Sequence, residues 1–188
     1  GMGDEVIVSD FSFPATANVV EDLGARPVFT DVDPKTFNMR ADDLIAKISP
    51  RTKAVIFVDT FGNPSGLHEI KAICAEKKVP LIEDAACAIG SSEKGKRCGS
   101  IADITCFSFD PVKIVTSVDG GCVIVNSKEE LEKLYHLRLL GVDKDTVQRY
   151  KNSRAWDYDV VNQGFRYHMN TISAVVGISQ IKQTAKFY

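Results

Sequence analysis

The seven residues Lys53-Ala54-Val55-Ile56-Phe57-Val58-Asp59 constrain the fold more than any other segment. The run is almost continuously apolar, rich in β-branched residues and too short for a buried helix. A strand of this kind is dry on both faces, which is the condition of a central strand in a parallel sheet covered by helices. Its neighbours have the complementary pattern. Ala41–Ile48 reads as a short amphipathic helix, and Leu67–Lys78 as a helix with Ile70 and Ile73 on one face. The same alternation runs through the chain. Glu5–Ser9, Pro27–Val32, Pro80–Glu83, Ile101–Phe109 and Gly121–Asn126 read as strands. Pro14 opens a helix to about Leu23, with Gly24 as its stop. Ser127-Lys128-Glu129-Glu130 forms a capping box for a helix to Leu140, stopped at Gly141. Asn170 or Thr171 caps a last helix to about Lys186. Val142–Val161 has no clear periodicity and reads as a loop. The expectation is a three-layer α/β/α sandwich with a mainly parallel sheet, one domain over residues 1–188.

Several function classes are excluded by composition. The 188 residues carry a net charge of −2, so no cationic field exists to collect nucleic-acid phosphates. No apolar run approaches the ~20 residues of a membrane span. The opening Gly1-Met2-Gly3-Asp4-Glu5 lacks a basic segment and a long apolar core, so no secretory leader is expected from it. The five cysteines, Cys74, Cys87, Cys98, Cys106 and Cys122, are odd in number and irregularly spaced, and the three histidines are far apart. No metal site or disulfide framework is expected. The cysteines read as mostly buried thiols in a reducing cytoplasm. The G-x-G-x-x-G and G-x-x-x-x-G-K-[ST] phosphate loops are missing, which argues against an ordinary nucleotide-binding module.

Two strand ends carry the chemistry. In Leu81-Ile82-Glu83-Asp84-Ala85-Ala86, a hydrophobic strand ends in carboxylates and then small residues. Ligands of open α/β sheets bind at such carboxyl ends. Asp84 therefore reads either as a turn cap or as a site carboxylate beside something flat. In Cys106-Phe107-Ser108-Phe109-Asp110-Pro111-Val112-Lys113, a strand runs into a turn with a lysine just beyond it. Pyridoxal phosphate needs an amine for a Schiff base, a carboxylate for its ring nitrogen, donors for its phosphate and an aromatic face. Lys113, Asp84, Ser108 and Phe13 can fill these roles.

Order and spacing add a family resemblance over nearly the whole chain. Gly3–Val8 with Phe11–Asn18 (FSFPATAN), Gly24–Asp33 (GARPVFTDVD) and Ser49–Ala54 (SPRTKA) resemble three segments of the DegT/StrS sugar aminotransferases. Ile82–Ala86 (IEDAA), Phe107-Ser108-Phe109 with Lys113 and Gly120-Gly121, and Gly164–Met169 (GFRYHM) match three more. The resemblance implies a fold-type-I pyridoxal 5'-phosphate enzyme. Lys113 would hold the cofactor, Asp84 would pair its pyridine nitrogen, Ser108 would contact its phosphate and Phe13 would stack on its ring. Lys113 also separates the chain from the family's dehydratases, which have His there. Cys87 stands where the family usually has Gln near the cofactor's phenolic oxygen. Arg166 or His168 would complete a neighbouring subunit's site, which implies a homodimer, although Arg166 replaces a usual Asn. Tyr150, Trp156 and Tyr158 read either as part of that interface or as cover for the chain's own core.

The implied reaction moves an amino group from L-glutamate to a keto sugar carried on a nucleotide. Family members are longer, with an N-terminal helix and a C-terminal small domain. The chain is accordingly expected to be the large-domain core and to hold the cofactor weakly by itself. A truncated, non-catalytic member serving as a cofactor-binding or interaction protein is the alternative expectation.

Overall fold

The computed structural model describes residues 1–143 and 158–187. Tyr150 and Trp156 and most of the expected 142–161 loop lie outside the described residues. The sheet has six strands in the order β2-β1-β3-β4-β7-β8. They are β1 (Glu5–Ser9), β2 (Arg26–Thr30), β3 (Thr52–Val58), β4 (Leu81–Asp84), β7 (Ile104–Ser108) and β8 (Gly121–Val125). The pairings β1–β2, β1–β3, β3–β4 and β4–β7 are all parallel. A separate hairpin joins β5 (Ser92–Glu93) to β6 (Lys96–Arg97). The helices are α1 (Ala15–Asp22), α2 (Ala41–Lys47), α3 (Leu67–Lys77), α4 (Lys128–Leu137) and α5 (Thr171–Ile181).

Strand alternation produces the three layers. Ile7, Val55, Phe57 and Leu81 point to one face and pack with Leu44 of α2 and Ile70 of α3. Val8 and Ile56 point to the other face and pack with Val20 of α1. Because both faces are covered, β3 is apolar at nearly every position, as its sequence requires. The three-layer sandwich with a mostly parallel sheet is therefore the observed fold. Strand order reverses between β1 and β3: α1 follows β1 on one face and α3 follows β3 on the other. Such a switch point opens a crevice at the carboxyl ends of the strands.

The chain divides into two compact units, residues 1–124 with 175–188, and residues 125–174. In the second, the Ser127 hydroxyl accepts from Glu130 N–H at 3.1 Å, the expected cap of α4. This helix ends at Leu137, three residues early. Leu140 and Gly141 have φ of 59° and 73°, so the backbone has already turned left-handed. Isolated bridges pair Leu139 with Arg166 and Val142 with Val160. The Asn170 side chain caps α5 through Ser173 N–H at 2.9 Å. That helix stops at Ile181, and a short 3-10 turn covers Thr184–Lys186. No described helix is long and apolar enough to cross a membrane.

Further expectations are corrected in the first unit. The strand expected over Ile101–Phe109 begins only at Ile104. Asp103 turns its carboxylate to Leu81 N–H at 2.8 Å and to Lys71, which holds the preceding residues in a bend. The β5–β6 hairpin was not expected, since two-residue strands carry no periodic signal. Its Glu93 caps α3, accepting from Gly66 N–H at 2.7 Å and His68 N–H at 2.8 Å. Only Cys74 and Cys98 of the five free thiols are buried, while Cys87 and Cys122 are exposed.

At the opposite edge of the sheet from the crevice, Glu5 starts β1 almost fully buried. Its carboxylate accepts from Ser49 Oγ at 2.6 Å, from Arg26, and from Arg51 Nε at 3.0 Å. These donors favour the charged form and hold the carboxyl down at about 2, from an ordinary value near 4.5. Between those two values the unfolded chain takes up a proton that the folded one refuses. The stabilisation is complete above the unfolded value and is lost as pH falls through the folded one. Glu5→Gln is expected to flatten this acid limb of a stability-versus-pH profile measured by denaturant unfolding.

Candidate functional site

A cleft of about 390 Å³ opens at the carboxyl ends of the strands. It is lined by residues after β1 (Phe11, Phe13), after β3 (Asp59, Phe61), at and after β4 (Asp84, Cys87), and by Lys113 after β7. Four strand ends therefore converge at the switch point, which is where a parallel sheet places a ligand.

Asp84 forms the floor and is the last residue of β4, in register with Val58 and Cys106. One carboxylate oxygen accepts from Ala86 N–H at 3.1 Å, and Thr16 Oγ1 lies 3.5 Å from the other. Thr16 is itself paired with Ser12 Oγ at 2.7 Å. Burial pushes the Asp84 carboxyl above its ordinary range; the Ala86 amide, the Lys113 charge and the Thr16 hydroxyl pull it back. A half-buried carboxylate in this condition is suited to a cationic N–H donor lying in the cleft.

Lys113 Nζ donates to Cys87 Sγ at 3.3 Å. The amine and the Asp84 carboxylate thus belong to one cleft. Phe13 is 78% exposed, with its ring uncovered at the cleft wall. Phe11, Phe37 and Phe61 cluster beside it, with centroids 5.3–6.0 Å apart. Ser108 ends β7 half-buried, and its hydroxyl accepts from Asp110 N–H at 3.3 Å. It is a neighbour of the cleft and not part of its lining. Arg166 is exposed and His168 half-buried, both in the second unit, and His168 Nδ1 is buried without a hydrogen-bond partner among the described residues.

The wall facing β4 depends on a strained turn at Thr60–Gly62. Phe61 has φ 55° and Gly62 φ 81°. A Cβ on Gly62 would sit 2.6 Å from the Cys87 carbonyl oxygen, while Ser91 Oγ donates to the Gly62 carbonyl at 2.7 Å. Gly62→Ala is expected to lower stability by more than the ~1–2 kcal/mol of a left-handed alanine alone, because the contact is with backbone. Denaturant unfolding measures it.

Sequence motifs identified Lys113, Asp84, Phe13 and Cys87, and these meet in space. They missed Thr16, Phe11, Phe61 and Asp59. The signal for Asp59 was present, since an acid ending an apolar strand beside β4 falls at the same sheet edge as Asp84.

The residues fit pyridoxal phosphate: a cleft with an amine at one wall, a half-buried carboxylate on the floor and an open aromatic ring. Comparison with known proteins agrees. Over 191 aligned residues the chain is 37% identical to dTDP-4-dehydro-2,3,6-trideoxy-D-glucose 4-aminotransferase of Saccharopolyspora spinosa, covering 100% of this chain and 49% of that one. The solved structure of the aminotransferase TlmJ from Streptoalloteichus hindustanus matches with a TM-score of 0.90 at 38% identity, covering 99% of this chain and 48% of the other. Spr1654 from Streptococcus pneumoniae, solved in a PLP form, matches with a TM-score of 0.87 at 30% identity, covering 99% and 50%. The chain spans about half the length of these relatives. Residues 1–188 match the DegT/DnrJ/EryC1/StrS aminotransferase family, to which the chain belongs.

Proposed function

We propose that this chain is the cofactor-holding part of a pyridoxal-phosphate-dependent aminotransferase. The enzyme moves an amino group from L-glutamate onto the keto group of a nucleotide-linked sugar. The observation that carries this is the meeting of the Lys113 amine and the Asp84 carboxylate in one cleft at the sheet's carboxyl edge. When bound, the cofactor supplies an electron sink for the substrate carbon.

The chain's own groups do the rest. Lys113 would hold the cofactor through its amine and would move the proton at the substrate carbon. Asp84 keeps a proton on the pyridine nitrogen, and Thr16 with the Ala86 amide fixes the carboxylate's direction. Phe13 covers one face of the ring. Ser108, at the end of β7, would donate to the phosphate. Cys87, next to Lys113 Nζ, would by the family resemblance face the cofactor's phenolic oxygen, to which a thiol offers only a weak hydrogen bond. Arg166 or His168 of a second copy would complete the site, which calls for a homodimer.

The test is spectroscopic. Titration of the protein with pyridoxal phosphate is expected to raise an absorbance band that borohydride bleaches. Addition of L-glutamate is then expected to shift the unreduced band. An intact enzyme containing this chain that binds the cofactor but never responds to any amino donor would overturn the transferase assignment.

A further inference from the structure

Asp59 and Glu83 are 1% and 0% exposed. One carboxylate oxygen of each lies with Cys98 Sγ in a group whose members are all within 4.8 Å of one another. Glu83 Oε2 is well supplied, accepting from Gly99 N–H at 3.0 Å and Thr105 Oγ1 at 2.7 Å. Among the described residues, Glu83 Oε1 and both oxygens of Asp59 lack an N–H or O–H donor, and only the Cys98 thiol stands near them. Two ionised carboxylates in this position would each be buried, unpaired and repelled by the other, the least tolerable arrangement for a charge in a protein interior.

The groups that face Asp59 make matters worse for the charged form. Glu83 and Asp84 approach from β4 and add negative charge, and the Cys98 thiol from the loop after β6 is only a weak donor. Around Glu83 stand Thr105 of β7, the Gly99 amide and the Cys98 thiol. A proton on one carboxyl removes the repulsion and turns an orphaned oxygen into a donor for its neighbour. A metal ion would do so less well, because a closed site needs about four donors at bonding distance and three are gathered here.

We propose that Asp59 and Glu83 share one proton as an acid–carboxylate pair, a pH-sensitive clasp that ties the end of β3 to β4 directly behind Asp84. The backbone follows the same path. Asp59 N–H donates to the Asp84 carbonyl at 3.0 Å, and the Asp59 carbonyl accepts from Gly62 N–H at 2.9 Å. The clasp therefore links the cleft floor to the turn that carries Phe61. Burial and the Glu83 charge raise the Asp59 carboxyl to about 8, in keeping with a retained proton.

The sign of the pH effect is fixed by linkage. Between the ordinary carboxyl value near 3.8 and about 8, the folded protein keeps a proton that the unfolded chain has released. Stability from this pair is complete below that window and is lost as pH rises through it. Asp59→Asn is neutral at every pH and keeps an amide donor for Glu83. The expected result is a melting midpoint for the wild type that falls, relative to D59N, across the window and then runs parallel to it. A gap that does not change with pH would overturn the proposal. Infrared difference spectra should show a protonated-carboxyl carbonyl band in the wild type that D59N removes; a spectrum without that band would also overturn it. Elemental analysis is expected to find no bound metal, and a stoichiometric divalent ion would replace the shared proton as the explanation. If D59N does not fold, Glu83→Gln and the wild-type infrared band decide the matter. None of these readouts needs cofactor or turnover, so the clasp and the aminotransferase proposal can fail independently.

Discussion

Lys113→Ala is expected to abolish the borohydride-trapped adduct with pyridoxal phosphate. Amino transfer by the intact enzyme should fall by at least the ~10²–10⁴-fold that a positioned proton carrier supplies. The effect on folding should be small. Lys113 is half-buried, and its contact is the Cys87 thiol, so stability is expected to stay within about 0.5 kcal/mol of the wild type. That separation of chemistry from stability is the discriminating feature. Mass spectrometry of the reduced, digested protein should place the pyridoxyl group on the peptide containing Lys113. An adduct that survives the substitution on another lysine would refute the assignment. Asp84→Asn should leave the adduct in place, because the amine is untouched, while weakening the response to L-glutamate through loss of the ring-nitrogen partner.

The second large effect is structural. Phe57 lies on the central strand β3 and is fully buried between the sheet and α3. Phe57→Ala removes a large apolar surface from a place where parallel neighbours on both sides limit collapse. The expected cost is about 3–5 kcal/mol. That is a large part of the roughly 5–15 kcal/mol that holds a domain together. Denaturant titration should show a lowered midpoint with an unchanged slope. A loss below about 1 kcal/mol would mean that the β3 core repacks freely, contrary to its position.

These two predictions rest on different layers of the molecule. Phe57 follows from periodicity: a strand apolar at every position is buried on both faces wherever it sits. Lys113 follows from position at the end of a strand, and only the register of β4 and β7 brings it towards Asp84. The same contrast runs through the site. Phe13, Asp84, Cys87 and Lys113 could be picked out of the sequence because each sits in a short motif at a strand end. The roles of Glu5 and Glu83 had no such signal, although Glu83 shares the IEDAA motif with Asp84. Each lies within an otherwise apolar strand, and their partners come from distant segments: Ser49, Arg26 and Arg51 for one, Thr105, Gly99 and Asp59 for the other.

The sequence by itself determined the alternation of strands and helices, the burial of both sheet faces and the family to which the chain belongs. These depend on local periodicity and on short motifs, which contain their own information about which face is dry. Tertiary structure alone decided that the strand order reverses between β1 and β3, that Val58 stands beside Asp84, and that Asp59 therefore meets Glu83 with only the Cys98 thiol beside them. The physical reason is that parallel strands are joined by crossover helices. Residues at adjacent carboxyl ends lie far apart in the chain, and nothing in either segment's own pattern records the charge it will face once the register is set.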